Sequence, residues 1–209
     1  NAPYAPLLFD VSRVPFPAGD PQATLDVLEA ECAGGAAAFI VEPLLLGAGG
    51  MLVYSPEVLA QMRAICGAHG TLFIADEVMT GWGRTGTLLA CEQADVVPDL
   101  LCLSKGLTGG ALPLAGTQAS EAIWDAHFFH SSSYTANPIA CAAAAANLAI
   151  WRKEPVLDRV EQLAARQTRQ MAALASHPAI ASLRQCGTIV AMELGGGDAT
   201  YLSDLGPRL

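Results

Sequence analysis

Thr71-Leu72-Phe73-Ile74-Ala75-Asp76 and Leu100-Leu101-Cys102-Leu103-Ser104-Lys105 are two short apolar runs, each closed by a charged residue. Gly70 precedes the first and Pro98 leads into the second. Runs of this length and composition predict strands buried on both faces, the pattern of a parallel sheet. Ala36 to Val41, ending at Glu42-Pro43, reads as a third such strand. Between them the apolar period changes. Leu25, Leu28 and Cys32 predict a helix over 22–33, and Leu59, Met62, Ile65 and Cys66 predict one from Pro56 to about His69. Pro suits the first turn of that helix and Gly70 its stop.

Further along, Gly47 to Gly50 and Gly81 to Gly86 read as loops, and Thr87 to Cys91 as a short helical piece. Gly109-Gly110 turns the chain into a strand over Leu112–Thr117, followed by a helix at about Glu121 to Ala126. Pro138 to Trp151 predicts an Ala-rich helix able to pack closely on a neighbour, and 155–175 an amphipathic one. Thr188 to Leu194 predicts a last strand, broken at Gly195-Gly196-Gly197. Strand and helix in alternation imply an α/β fold: a mostly parallel sheet with helices on both faces and right-handed crossovers. Residues 1–154 read as one large domain, and 155–209 as a linking helix and the start of a smaller C-terminal domain.

The chain has 209 residues, 52% of them hydrophobic, and a net charge of −9. That supports a sizeable core and carries no basic footprint for nucleic acid. No apolar stretch has the length of a membrane span, and no signal peptide opens the chain. The six cysteines contain no Cys-x-x-Cys pair, so they read as reduced, buried thiols of a cytoplasmic protein, with Cys66, Cys102 and Cys141 on apolar faces. The four histidines (69, 127, 130 and 177) show no metal spacing. The start without Met in a Pro-rich loop, and the stop at Arg208-Leu209, suggest a piece of a longer protein.

Ligands of open α/β sheets bind outside the carboxyl ends of the strands. Asp76 and Lys105, ending two strands, are therefore placed to face one ligand. An amine for a Schiff base and an acid against a pyridinium nitrogen are what pyridoxal 5′-phosphate (PLP) requires. Each residue also has a plainer reading: a solvated lysine at a strand end, and an acid capping a loop.

The wider words narrow the choice. They are Phe39-Ile40-Val41-Glu42-Pro43; Asp76-Glu77-Val78 with Gly81-Trp82-Gly83-Arg84-Thr85-Gly86; Ser104-Lys105-Gly106 with Gly109-Gly110; and Ser133-Tyr134-Thr135-Ala136-Asn137-Pro138. Their order and spacing resemble the class III PLP-dependent aminotransferases of fold type I, over nearly the whole chain. The resemblance implies that Lys105 holds the cofactor covalently and moves the substrate proton, that Asp76 contacts the pyridine nitrogen, and that Val78 packs on the ring. It implies that Ser132 and Ser133 reach the cofactor phosphate of a neighbouring subunit in a homodimer, and that Ser131 lines the substrate pocket. Glu42 matches an acid near the site or an ordinary strand exit. Arg84 matches a partner for an acid at the dimer contact or a solvated loop residue.

Gly47-Ala48-Gly49-Gly50-Met51, Leu101-Cys102-Leu103-Ser104-Lys105 and Asn137-Pro138-Ile139-Ala140-Cys141-Ala142 are most similar to the members that act in biotin synthesis. That implies S-adenosylmethionine as amino donor and 8-amino-7-oxononanoate as acceptor. The alternatives are a class III transaminase using an ω-amino acid or amine with pyruvate, and an inactive truncated remnant. Leu46 stands where relatives often carry Gln, and the stretch from Trp124 to His130 is shorter than theirs. By the same resemblance, the phosphate-binding Gly-Ser turn and the ring-stacking aromatic lie before Asn1. The Arg for the substrate carboxylate lies after Leu209.

Overall fold

Asp20 caps the first helix, α1 (Pro21–Ala33), its side chain accepting from the Gln22 N–H. Pro21 then starts the helix where its missing N–H costs nothing. α2 (Pro56–His69) stops at Gly70, whose φ of 70° lets its N–H fold back to the Cys66 and Gly67 carbonyls. These observations come from a computed structural model that describes residues 11–124 and 133–195.

The main sheet runs β1 (Ala38–Val41), β4 (Leu72–Asp76), β5 (Leu100–Leu103), β6 (Gly116–Ala119) in space. β1, β4 and β5 are mutually parallel and β6 is antiparallel to β5. Gly109 and Gly110, both in the left-handed region, bring the chain back after too few residues for a crossover, so the return strand must run the other way. Two antiparallel hairpins complete the set: β2 (Leu45–Leu46) with β3 (Leu52–Val53), and β7 (Ile180–Cys186) with β8 (Ile189–Leu194). Among the described residues the remaining α-helices are α3 (Pro138–Lys153) and α4 (Val156–Leu174).

One face of the sheet is sealed by α1 and α2. Leu28, Leu59, Met62, Cys66, Phe73 and Ala75 are almost wholly buried there in one cluster. Each large member contributes about 1.5–3 kcal/mol. On the other face Ile40 is 61% exposed. Register is locked by Asp99, just ahead of β5. Its N–H donates to the Phe73 carbonyl at 2.9 Å, its Oδ2 accepts the Phe73 N–H at 2.7 Å, and its Oδ1 faces Arg63 at 3.4 Å. A slip of one residue would turn every side chain of β5 to the opposite face.

Several expectations are corrected. β6 lies later than the expected 112–117. The Leu112 carbonyl is taken by the Thr108 hydroxyl and the Leu114 carbonyl by the Ser104 hydroxyl, which withholds that stretch from the ladder. The short helical piece is a 3₁₀ turn over Ala90–Ala94. Cys141 is exposed rather than buried, because α3 turns Ala140 and Ala144 inward and the residues beside Ala140 outward. Cys32, Cys66 and Cys91 are buried free thiols, as expected. Burial pushes the Cys66 thiol up to about 12, so it stays protonated. The expected helix near 121–126 shows a turn over 121–123, and its end lies outside the described residues. No helix among the described residues is long and apolar enough to cross a membrane, and none of their side chains cluster as a metal site.

Candidate active site

β4 delivers Asp76 to the carboxyl end of the sheet. Its register partner is Cys102 on β5, and Cys102 is in turn opposite Thr117 on β6. The half-buried Asp76 therefore stands in one row across the strand ends. Its Oδ1 accepts the Val78 N–H at 3.1 Å, which curls the chain away from the sheet. Val78 is half-buried beside it.

Glu77, next in sequence, points the opposite way and is fully buried. Its Oε2 accepts from the Thr80 hydroxyl at 2.6 Å and its Oε1 from the Cys91 N–H at 2.8 Å. Its N–H donates to the Cys102 carbonyl, and its own carbonyl accepts from Gly81. Burial, then the Glu77 charge, drive the Cys91 thiol pKa well up. Glu77 thus ties the strand exit that aims Asp76 to the turn at Ala90–Ala94. The sequence reading overlooked it, although an acid behind a buried strand end is a signal. Glu77→Gln places an NH₂ group against one of these donors. It is expected to lower stability by about 1–3 kcal/mol, read from urea unfolding. An unchanged midpoint would remove Glu77 from this role.

β5 delivers Lys105 to the same end, on the strand next to that of Asp76. Lys105 is exposed, and its φ is 43°. For a residue with a side chain this left-handed backbone costs on the order of 1–3 kcal/mol and persists only where the surroundings hold it. They do so from several sides. The Lys105 carbonyl accepts the Gly110 N–H at 3.2 Å, and the Ser104 carbonyl accepts the Leu107 N–H at 2.9 Å. A Cβ on Gly106 would lie 2.6 Å from the Cβ of Trp82, so only glycine fits behind the lysine. Trp82 in turn packs on Trp151 of α3, ring centroids 6.0 Å apart.

Glu42, at the end of β1, accepts the Gly47 N–H on its Oε2 at 3.0 Å and so shapes the loop between β2 and β3. Arg184 on β7 holds that loop from the other side, donating to the carbonyls of Gly50 and Met51. Arg84 is exposed, and its carbonyl accepts from Thr188. Leu46 is half-buried in β2. Ser133 lies exposed in the turn ahead of α3, whose cap Asn137 accepts from Ile139 and Ala140. Ser131 and Ser132 lie outside the described residues.

An acid and an amine on adjacent strand ends, with the lysine backbone held in a costly conformation, form a donor set that fits PLP. The chain matches the class-III aminotransferase family model over residues 10–203. The chain belongs to the class-III aminotransferases. Among curated members, it is 43% identical over its whole length to the adenosylmethionine-8-amino-7-oxononanoate aminotransferase of Synechococcus elongatus, covering 53% of that protein. The same-named aminotransferase of Methanocaldococcus jannaschii superposes with a TM-score of 0.85 at 29% identity, over 92% of this chain and 47% of that one. An ornithine aminotransferase from Toxoplasma gondii, described with PLP at its active site in partial occupancy, gives 0.73 at 32% identity, over 81% of this chain and 41% of that one. The chain thus spans about half the length of the curated aminotransferases it matches.

Proposed function

We propose that the full-length protein is a PLP-dependent transaminase that acts on 8-amino-7-oxononanoate with S-adenosylmethionine as amino donor, giving 7,8-diaminononanoate for biotin. One observation carries the reaction class: Asp76 ends β4 and Lys105 follows β5, its parallel neighbour, at the carboxyl end of the sheet. The likeness to the Synechococcus protein supports the choice of substrates.

Bound at this end of the sheet, PLP would supply an electron sink for the bond broken at the amine-bearing carbon. The Lys105 Nζ would hold the cofactor through its carbonyl and would carry the proton to and from the substrate carbon. Asp76, with Oδ1 taken by the Val78 N–H, offers its other oxygen to the pyridine nitrogen and keeps that nitrogen protonated. Val78 packs on the ring and keeps water from it. Ser132 and Ser133 serve the phosphate in the neighbouring subunit of a homodimer, and Ser131 lines the substrate pocket. Residues 1–154 form the cofactor domain, and the smaller domain begins at 155.

S-adenosylmethionine alone is expected to bleach the visible cofactor band of the full-length enzyme, since the first half-reaction needs no acceptor. β-Alanine and simple ω-amines should do so at least about tenfold more slowly, the discrimination a fitted pocket achieves. Ready reaction of those amines, with no response to S-adenosylmethionine, would move the protein to the amine–pyruvate transaminases.

A further inference from the structure

Asn147 is the one amide side chain within the Ala-rich run of α3, and it serves a neighbour rather than its own helix. Its Nδ2 donates to the Gly106 carbonyl at 2.8 Å and to the Leu107 carbonyl at 3.1 Å. Both acceptors are carbonyls, so only the NH₂ end of the amide can face them. Both carbonyls belong to the turn that opens at Lys105, so holding them fixes the path by which the chain leaves the lysine, whose φ is 43°. The bonds from Leu107 to Ser104 and from Gly110 to Lys105 are local and would form in an isolated turn. Asn147 is different. It reaches the turn from a sixteen-residue helix capped by Asn137 and braced on Trp82 through Trp151.

We propose that Asn147 is a positioning residue for Lys105. It acts through the two carbonyls it binds, holding the lysine backbone so that Nζ points where the cofactor carbonyl arrives. This inference rests on the reading of Lys105 as the covalent anchor. A plain tether between α3 and the strand exit is the competing role, and the two differ in what they disturb. A tether supports the whole pocket. A positioning residue matters only for the step that needs the amine.

The test uses the full-length enzyme and its Asn147→Ala and Asn147→Asp variants, each freed of cofactor. Ala is the residue best suited to a helix interior, and Asp keeps the size while losing the donor. Each protein is mixed with PLP, which needs the lysine bond, and separately with pyridoxamine 5′-phosphate, which fills the same pocket without it. Borohydride trapping and peptide mapping time the bond at Lys105. Trapping should slow on the order of 10- to 100-fold in both variants, the penalty for a reacting group displaced by about 1 Å, while the pyridoxamine 5′-phosphate Kd stays within about twofold. Unchanged trapping would overturn the proposal. So would equal losses in trapping and in pyridoxamine 5′-phosphate affinity, the mark of a tether. A parent enzyme that forms no adduct at Lys105 would instead overturn the anchor assignment, and this inference with it.

Discussion

Lys105→Ala is expected to abolish the borohydride-trapped cofactor adduct and to leave the full-length protein without its yellow colour. Transamination should fall by at least about 10²- to 10⁴-fold, the contribution of a positioned proton-transfer group, before the loss of the covalent attachment is added. The fold should survive. Lys105 is exposed, and its left-handed backbone is disfavoured for lysine and alanine alike. Unfolding in urea therefore separates lost chemistry from lost structure. An adduct that persists and maps to Lys153, the other lysine of the chain, would refute the assignment.

Asp76→Asn tests the partner group. The amide oxygen still accepts the Val78 N–H, so the turn that β4 makes into Val78 is retained while the charge is lost. Removing one member of a desolvated ion pair costs about 3 kcal/mol at the low end, the end that suits a half-buried group. At 1.36 kcal/mol per tenfold in rate, that is about a hundredfold. The loss should fall on the half-reaction with amino donor far more than on the Kd for PLP. A variant that transaminates at the parent rate would show that Asp76 does not hold the pyridine nitrogen.

Both residues were legible because they stand where a short apolar run bounded by Gly or Pro stops, and such a run reads as a strand. α1, α2 and α4 were legible through their apolar period, α2 also through Pro56 and Gly70, and α3 through its alanines. β7 was not. Ile180-Ala181-Ser182-Leu183-Arg184-Gln185-Cys186 shows no alternation, since its polar members are engaged at long range. Arg184 reaches Gly50 and Met51, and Gln185 reaches the Ala164 carbonyl. β2 and β3 have two residues each, too few for any period. In the candidate site, the residues at the strand ends were readable and those behind them were not. Glu77 and Asn147 act on backbone groups, and nothing in a linear sequence marks which carbonyl will need a donor. A single amide inside a run of alanines was the available sign for Asn147.

Among the described residues, the hairpin of β7 and β8 is fastened to the rest of the molecule at three places, one of them α4, where Gln185 donates to the Ala164 carbonyl and Gln167 donates to the Thr188 carbonyl. Its turn lies on the loop at Arg84, where Thr188 donates to the carbonyl through both N–H and hydroxyl. Its Arg184 is fastened to Gly50 and Met51. A flap fixed at one place can swing and one fixed at two can rock about the line between them, whereas a third attachment stops both motions. Gly187 tightens the seat further, since its Cα sits against the backbone of Thr85 with no room for a methyl group. The hairpin is therefore a bolted plate rather than a door: it comes away whole, releasing both loops at once, or it stays.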